Sequence, residues 1–244
     1  MNGLRRIAMW SGPRNVSTAM MRAWGNRTDT IVCDEPLYAH YLLATGIDHP
    51  GRDEVIAAQE TDWKKVVERL TGPPPRGQAI FYQKHMAHHL LDVIDRGWLS
   101  ALTHCFLIRD PREMLLSLIG KLPDAAVADT GLPQQVELVD FVQKLTGRTP
   151  PIVDARDVLE SPREMLTLLC EACGVAFDEA MLSWPAGSRA TDGVWAKYWY
   201  AAAEQSTGFA PYRPRHEPLP SRYDALLGQC REYYDRLYAM RLRP

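Results

Sequence analysis

The chain has 244 residues, 46% of them hydrophobic and 24% charged, with a formal net charge of −2. That length buries a full core without crosslinks, as one large α/β domain or two small ones, and the composition is that of a soluble globular protein. The slight acidic balance argues against a general nucleic-acid binder, which carries a basic excess, and no apolar run approaches a membrane span.

Residues 7–10 read as a short buried strand. It runs into Ser11, Gly12, Pro13, Arg14, Asn15, Val16, Ser17 and Thr18, and then into apolar spacing over 19–24 that predicts a helix. A strand, a turn with Gly and Pro, and hydroxyl residues opening a helix together make an anion site. The helix start offers free N–H groups and the positive end of the dipole. Gly12 lets backbone approach a bulky anion, Ser17 and Thr18 add donors, and Arg14 adds a fixed charge. Counted from Gly12, the places of the Walker glycine and lysine hold Ser17 and Thr18, so the Walker pattern is absent. An ordinary strand–helix connection is the alternative for this stretch taken alone.

A second strand over 30–33 ends at Asp34, Glu35, Pro36, Leu37 and Tyr38; residues 49–53 read as an exposed loop. A helix is predicted over 54–70, stopped by Gly72, Pro73, Pro74 and Pro75. A third strand covers 79–84, followed by His85, Met86, Ala87, His88 and His89 and then a helix. A fourth strand, 104–108, ends in Arg109, Asp110 and Pro111 and turns into a helix over 112–121. Residues 122–132 read as a loop, 135–145 as a helix and 151–155 as a fifth strand. Ser161 opens the next helix with a capping-box arrangement and Pro162 at its first position. The stretch 184–220, rich in aromatic, Gly, Pro and basic residues, can fold over the site as a lid. Ser221 is the expected cap of a last helix packed on the body.

Strands alternating with helices predict a parallel sheet covered on both faces, with ligands at the C-terminal strand ends. Ser11, Glu35, Lys84 and Arg109 then share one rim. The cysteines number five, and the pair Cys170 and Cys173 sits inside an apolar helical pattern as core thiols. No signal-peptide pattern precedes the first strand, so free thiols in a reducing cytoplasm are expected.

Arg109 leaves a strand end, and Ser117 lies about two turns into the following helix. Together they can hold a second anion; the alternative is an Arg109–Asp110 pair that fixes a turn. The combination of this element with the first turn resembles the PAPS-dependent sulfotransferases. Glu35, Pro36 and Leu37 are similar to the Glu-Pro-Leu segment of the carbohydrate-type branch. The resemblance implies one α/β domain over 1–244, P-loop NTPase-like, with a central parallel sheet flanked by helices. It implies PAPS as donor, adenosine 3′,5′-bisphosphate as product and no required metal. Gly12, Pro13, Arg14, Asn15, Val16, Ser17 and Thr18 would hold the 5′-phosphosulfate, and Arg109 with Ser117 the 3′-phosphate. A late basic loop completes that site in the family, with Lys197 or Arg189 the candidates here. Many members have Lys where Arg14 stands.

Transfer needs in-line placement, neutralisation of the leaving phosphate and removal of the acceptor's proton. Arg14 and the loop amides suit the leaving group, and Lys84 can share that task. Glu35 is the expected base. His85 or His88 is the second choice, because Met86 stands where the small-molecule branch carries its histidine. A metal held by the three histidines finds no carboxylate or Cys in helical register. The acceptor is a hydroxyl or amine of a small molecule or carbohydrate, with no nucleic-acid or membrane partner expected; a homodimer is compatible with the sequence and not specified by it. Two rivals stand: an ATP–Mg²⁺ kinase or nucleotide hydrolase with Asp34 as the metal carboxylate, and a nucleotide-binding module without turnover.

Overall fold

The computed structural model describes residues 3–74 and 77–244. Five parallel strands, β1 (Arg5–Ser11), β2 (Thr30–Asp34), β3 (Ile80–Met86), β4 (Thr103–Ile108) and β5 (Ile152–Asp154), stand in the order β2-β3-β1-β4-β5. β1 lies between β3 and β4 and is buried from Ile7 to Ser11. An almost unbroken apolar run suits a central strand covered on both faces.

Around the sheet stand α1 (Ser17–Gly25), α2 (Tyr38–Thr45), α3 (Arg52–Ala58), α4 (Trp63–Thr71), α5 (Pro111–Leu118) and α6 (Leu132–Thr146). They continue with α7 (Ala155–Glu160), α8 (Pro162–Ala172), the short α9 (Ala196–Trp199) and α10 (Ala201–Gln205), and α11 (Asp224–Ala239). Two cores result. Met20, Trp24, Leu42, Met165 and Trp184 pack on one face, and Trp98, Leu115, Val139, Cys230 and Leu237 on the other. The chain is thus a single α/β domain with a five-stranded parallel sheet, as expected.

Several local expectations are corrected. The helix predicted over 54–70 is two helices: Gln59 is extended, and Asp62 restarts the chain by accepting from the Lys64 N–H at 2.9 Å. An aspartate competes with helical bonding in just this way. Pro75 lies outside the described residues. β3 runs on to Met86, and 3₁₀ turns over Ala87–His89 and Gly97–Ala101 replace the helix expected after it. α2 forms in a stretch for which no element is predicted, and α5 ends at Leu118 rather than at 121. Ser161 makes no side-chain cap, so the capping box does not form, and α8 starts on Pro162 alone. Ser221 belongs to a 3₁₀ turn ahead of α11 and does not cap it.

The segment 122–132 contains a 3₁₀ turn, Val127–Thr130, that packs under the β1–α1 connection. A Cβ on Gly12 would meet the Thr130 carbonyl oxygen at 2.3 Å. With its amide set by these neighbours, Gln135 accepts from the Gly12 N–H at 3.1 Å and donates to the Leu107 carbonyl at 3.2 Å. Gly12 is therefore required by the close approach of backbone from 130. Gly12→Ala should lower stability by about 1–3 kcal/mol, as overpacking against backbone does. Urea denaturation checks this, and an unchanged midpoint would contradict it.

Candidate active site

The connection after β1 crosses to β2 on one side of the sheet, and the connection after β4 leads to β5 on the other. The carboxyl ends of β1 and β4 thus flank a topological switch point, where open α/β sheets bind ligands. A cavity of about 400 Å³ opens there. Its floor includes Pro13, Arg14, Asn15, Val16, Ser17 and Thr18; Gly12 does not line it.

This turn is held from the β4 side. Asn15 Nδ2 donates to the Leu107 carbonyl at 3.0 Å, and its Oδ1 accepts from the Val16 N–H at 2.8 Å. Arg14 has φ 54°, a left-handed conformation costly for a side-chain-bearing residue. Its carbonyl accepts from Arg109 Nη1 at 2.8 Å, and its own Nε donates to Ser117 Oγ at 2.9 Å. The two anion turns of the sequence are therefore one bonded unit. No side chain caps α1, so its first N–H groups face the cavity end of the helix dipole.

Arg109 does not pair with Asp110. It reaches Glu113 Oε2 at 3.2 Å, Glu113 Oε1 accepts from Tyr212 at 2.6 Å, and Asp110 caps α5. Burial, then Arg109 and Arg215, push the Arg14 guanidinium below its ordinary range. Arg109 is paired with Glu113 and Arg215 with Glu217, so an anion in the cavity would compensate Arg14 first.

Across the cavity lies an ion cluster. Asp34 and Lys84 are register partners of β2 and β3, so their side chains share a face. Lys84 Nζ donates to Asp34 Oδ1 at 2.9 Å, Glu35 Oε1 at 2.5 Å and Tyr200 Oη at 2.6 Å. Tyr200 in turn donates to Asp34 Oδ2 at 2.8 Å. Burial alone would lower the Lys84 ammonium; Asp34 and Glu35 more than reverse it and hold it charged. Burial pushes the Glu35 carboxyl up, and Asp34 adds to that against Lys84. Two carboxylates share one ammonium, so Glu35, itself at φ 40°, is a carboxylate with retained basicity.

The histidines separate. Strand alternation turns His85 to the opposite face from Lys84, where it stacks on Trp10 at 4.3 Å and faces Gln83 at 3.2 Å. Burial, then His104, push its pKa down to about 3, and it does not line the cavity. His88 and His89 are buried cavity-wall residues. Among the described residues, no group of three or more His, Cys, Asp or Glu could hold a metal ion.

From the tail, Trp195, Trp199, Tyr200, Gly208, Phe209 and Ala210 reach the cavity wall. Lys197 does not: it pairs with Glu54 at 2.6 Å on the surface, and Arg189 Nη2 donates to the Pro185 carbonyl. Arg215 is the tail cation near Arg14. Sequence reasoning missed Arg215 and Glu113, and it offered Tyr200 as a pocket aromatic without its place in the ion cluster. Asp34, beside Glu35 at a strand end, carried the one local signal that could have exposed the ion cluster.

Glu35 gives a pH test. Its folded pKa lies above the unfolded one, so its contribution to stability is complete below the unfolded value and is lost as pH rises through the folded value. Glu35→Gln removes that loss. The stability difference between variant and parent should move in the variant's favour as pH rises above the ordinary glutamate range, read by urea denaturation. A pH-independent difference would contradict it.

A family model described as "Sulfotransferase domain" matches residues 5–242. Two Arabidopsis thaliana proteins, Branched-chain-amino-acid aminotransferase-like proteins 2 and 1, are 34% and 36% identical over 229 and 222 residues. The matches cover 94% and 90% of this chain but only 40% and 39% of those proteins, so the chain spans about two fifths of their length. Among solved structures, the sulfotransferase domain from the Synechococcus PCC 7002 olefin synthase superposes with TM-score 0.60 at 19% identity, covering 96% of this chain and 95% of that one. A sulfotransferase from Alicyclobacillus acidocaldarius gives 0.56 at 12%, covering 98% and 97%. The sulfotransferase domain from the curacin biosynthetic pathway gives 0.52 at 13%, with full coverage of both. These three share the fold, and the family match over nearly all of the chain says more: it belongs to the sulfotransferase domain family.

Proposed function

We propose that this chain transfers a sulfuryl group from PAPS to a hydroxyl or amine of a small-molecule or carbohydrate acceptor. The observation that carries the reading is the bonded unit of Arg14, Ser117 and Arg109. It sets two cationic, donor-rich positions on one wall of a cavity whose other wall holds a carboxylate. The uncapped start of α1, Arg14, Ser17 and Thr18 would hold the 5′ end of the nucleotide. Arg109 and the Ser117 hydroxyl proton would hold the 3′-phosphate, with Arg215 adding positive potential. PAPS, when bound, supplies the sulfuryl group. Arg14 and the α1 amides then neutralise the leaving phosphate, and Glu35 takes the acceptor's proton. Lys84, already committed to Asp34 and Glu35, acts by fixing that base.

The magnesium-nucleotide alternative gains no support from Asp34, whose oxygens are taken by Lys84, Tyr200 and the Gly193 N–H. Five free cysteines fit a cytoplasmic setting. Calorimetry decides the ligand: adenosine 3′,5′-bisphosphate should bind without added metal and more tightly than ATP with Mg²⁺. Arg109→Ala should weaken bisphosphate binding by about 2–3 kcal/mol. Preference for ATP with Mg²⁺, or an unchanged affinity in the variant, would overturn the assignment. Glu35→Gln should keep bisphosphate affinity and lose transfer to a panel of hydroxyl and amine acceptors; surviving transfer would remove Glu35 as the base.

A further inference from the structure

Glu35 Oε1 is committed to Lys84, and nothing yet described holds Oε2. His89 Nδ1 lies 4.0 Å from it. His89 is 3% exposed, and its ring is clamped between Tyr38 (centroids 4.7 Å, 2° between planes) and Tyr41 (4.7 Å, 27°). The ring orientation is thus set by stacking, without a hydrogen bond at Nδ1. That nitrogen is buried with no partner. An unpaired buried polar atom in a fixed ring is costly, and a carboxylate oxygen faces it.

We propose that His89 is the positioning residue for Glu35: its Nδ1–H donates to Glu35 Oε2 and fixes the carboxylate plane, leaving the second lone pair of that oxygen for the acceptor's proton. The inference rests on the reading of Glu35 as base. The present gap exceeds a hydrogen bond by about 1 Å. Closing it needs a side-chain shift of about 1 Å that keeps Oε1 on Lys84. Burial, then His88 and His49, push His89 well below the ordinary histidine range, so the ring is neutral and its one proton can sit on Nδ1. The other groups facing Glu35 are Asp34 from β2, Lys84 from β3, Tyr38 from α2 and Tyr200 from the tail. None of them is a free donor aimed at Oε2: Lys84 and Tyr200 reach Oε1, and the Tyr38 hydroxyl pairs with His49 Nδ1 at 3.0 Å.

The test is a carboxylate titration by ¹³C NMR on the full chain with ¹³Cδ-labelled glutamate, the Glu35 signal being assigned by its loss in Glu35→Gln. His89→Phe keeps an aromatic ring between the tyrosines and removes the donor. His89→Asn keeps a donor at the place of Nδ1 and removes the ring. Losing a donor to the charged form disfavours that form, so the Glu35 midpoint should rise in His89→Phe by about half a pH unit or more. His89→Asn should stay near the parent. A parent-like midpoint in His89→Phe, or an equal rise in both variants, overturns the proposal. ¹⁵N NMR of histidine-labelled parent protein needs no variant: a protonated His89 Nδ1 supports the proposal, and a bare one overturns it. Neither readout uses donor or acceptor, so failure here is distinct from failure of the sulfuryl-transfer reading, which the bisphosphate and acceptor experiments test.

Discussion

The backbone carbonyl of Arg14 is the point on which the site turns. It accepts from Arg109 while the Arg14 side chain donates to Ser117, so one residue ties the β1 turn to both the end of β4 and the body of α5. That tie holds Arg14 at a positive φ, a conformation worth of order 1–2 kcal/mol against an ordinary residue. Gly12 makes room for the Thr130 turn behind it, and Asn15 anchors the front to Leu107. The α1 amides are then presented in a fixed direction, as pre-organised electrostatic catalysis requires.

Charge is divided across the cavity. Arg14, Arg109 and Arg215 gather on one side; burial, then the other two charges, lowers the Arg14 pKa. On the other, one ammonium is shared by two carboxylates and a phenol, all buried. Breaking such a pair costs on the order of 3–5 kcal/mol because it strands a buried charge. The cluster therefore also pins the tail, through Tyr200, to the ends of β2 and β3. The proposed base thus sits in the same cluster that holds the tail.

Legibility in the sequence followed the range of the interactions. The apolar strands and the Gly12–Thr18 and Arg109–Ser117 elements are local patterns, and the fold class and family followed from them. The bond between Arg14 and Ser117 spans 103 residues, and that between Lys84 and Tyr200 spans 116. No spacing encodes such pairs. His85 failed as a cavity residue for a local reason: β3 continued two residues further than expected, and the period of two sent its ring to the opposite core. Lys197 was drawn toward Glu54 by α9, which only the folded tail reveals. The helix predicted over 54–70 broke because Asp62 bonds backbone more readily than it continues a helix.

The central claim is that the two turns form one nucleotide clamp. Its most direct measurement is a crystal structure with adenosine 3′,5′-bisphosphate bound. The account predicts the 5′-phosphate against Arg14 and the N–H groups opening α1, and the 3′-phosphate against Arg109 and Ser117. A nucleotide bound the other way round, or one with either phosphate outside those contacts, would contradict it.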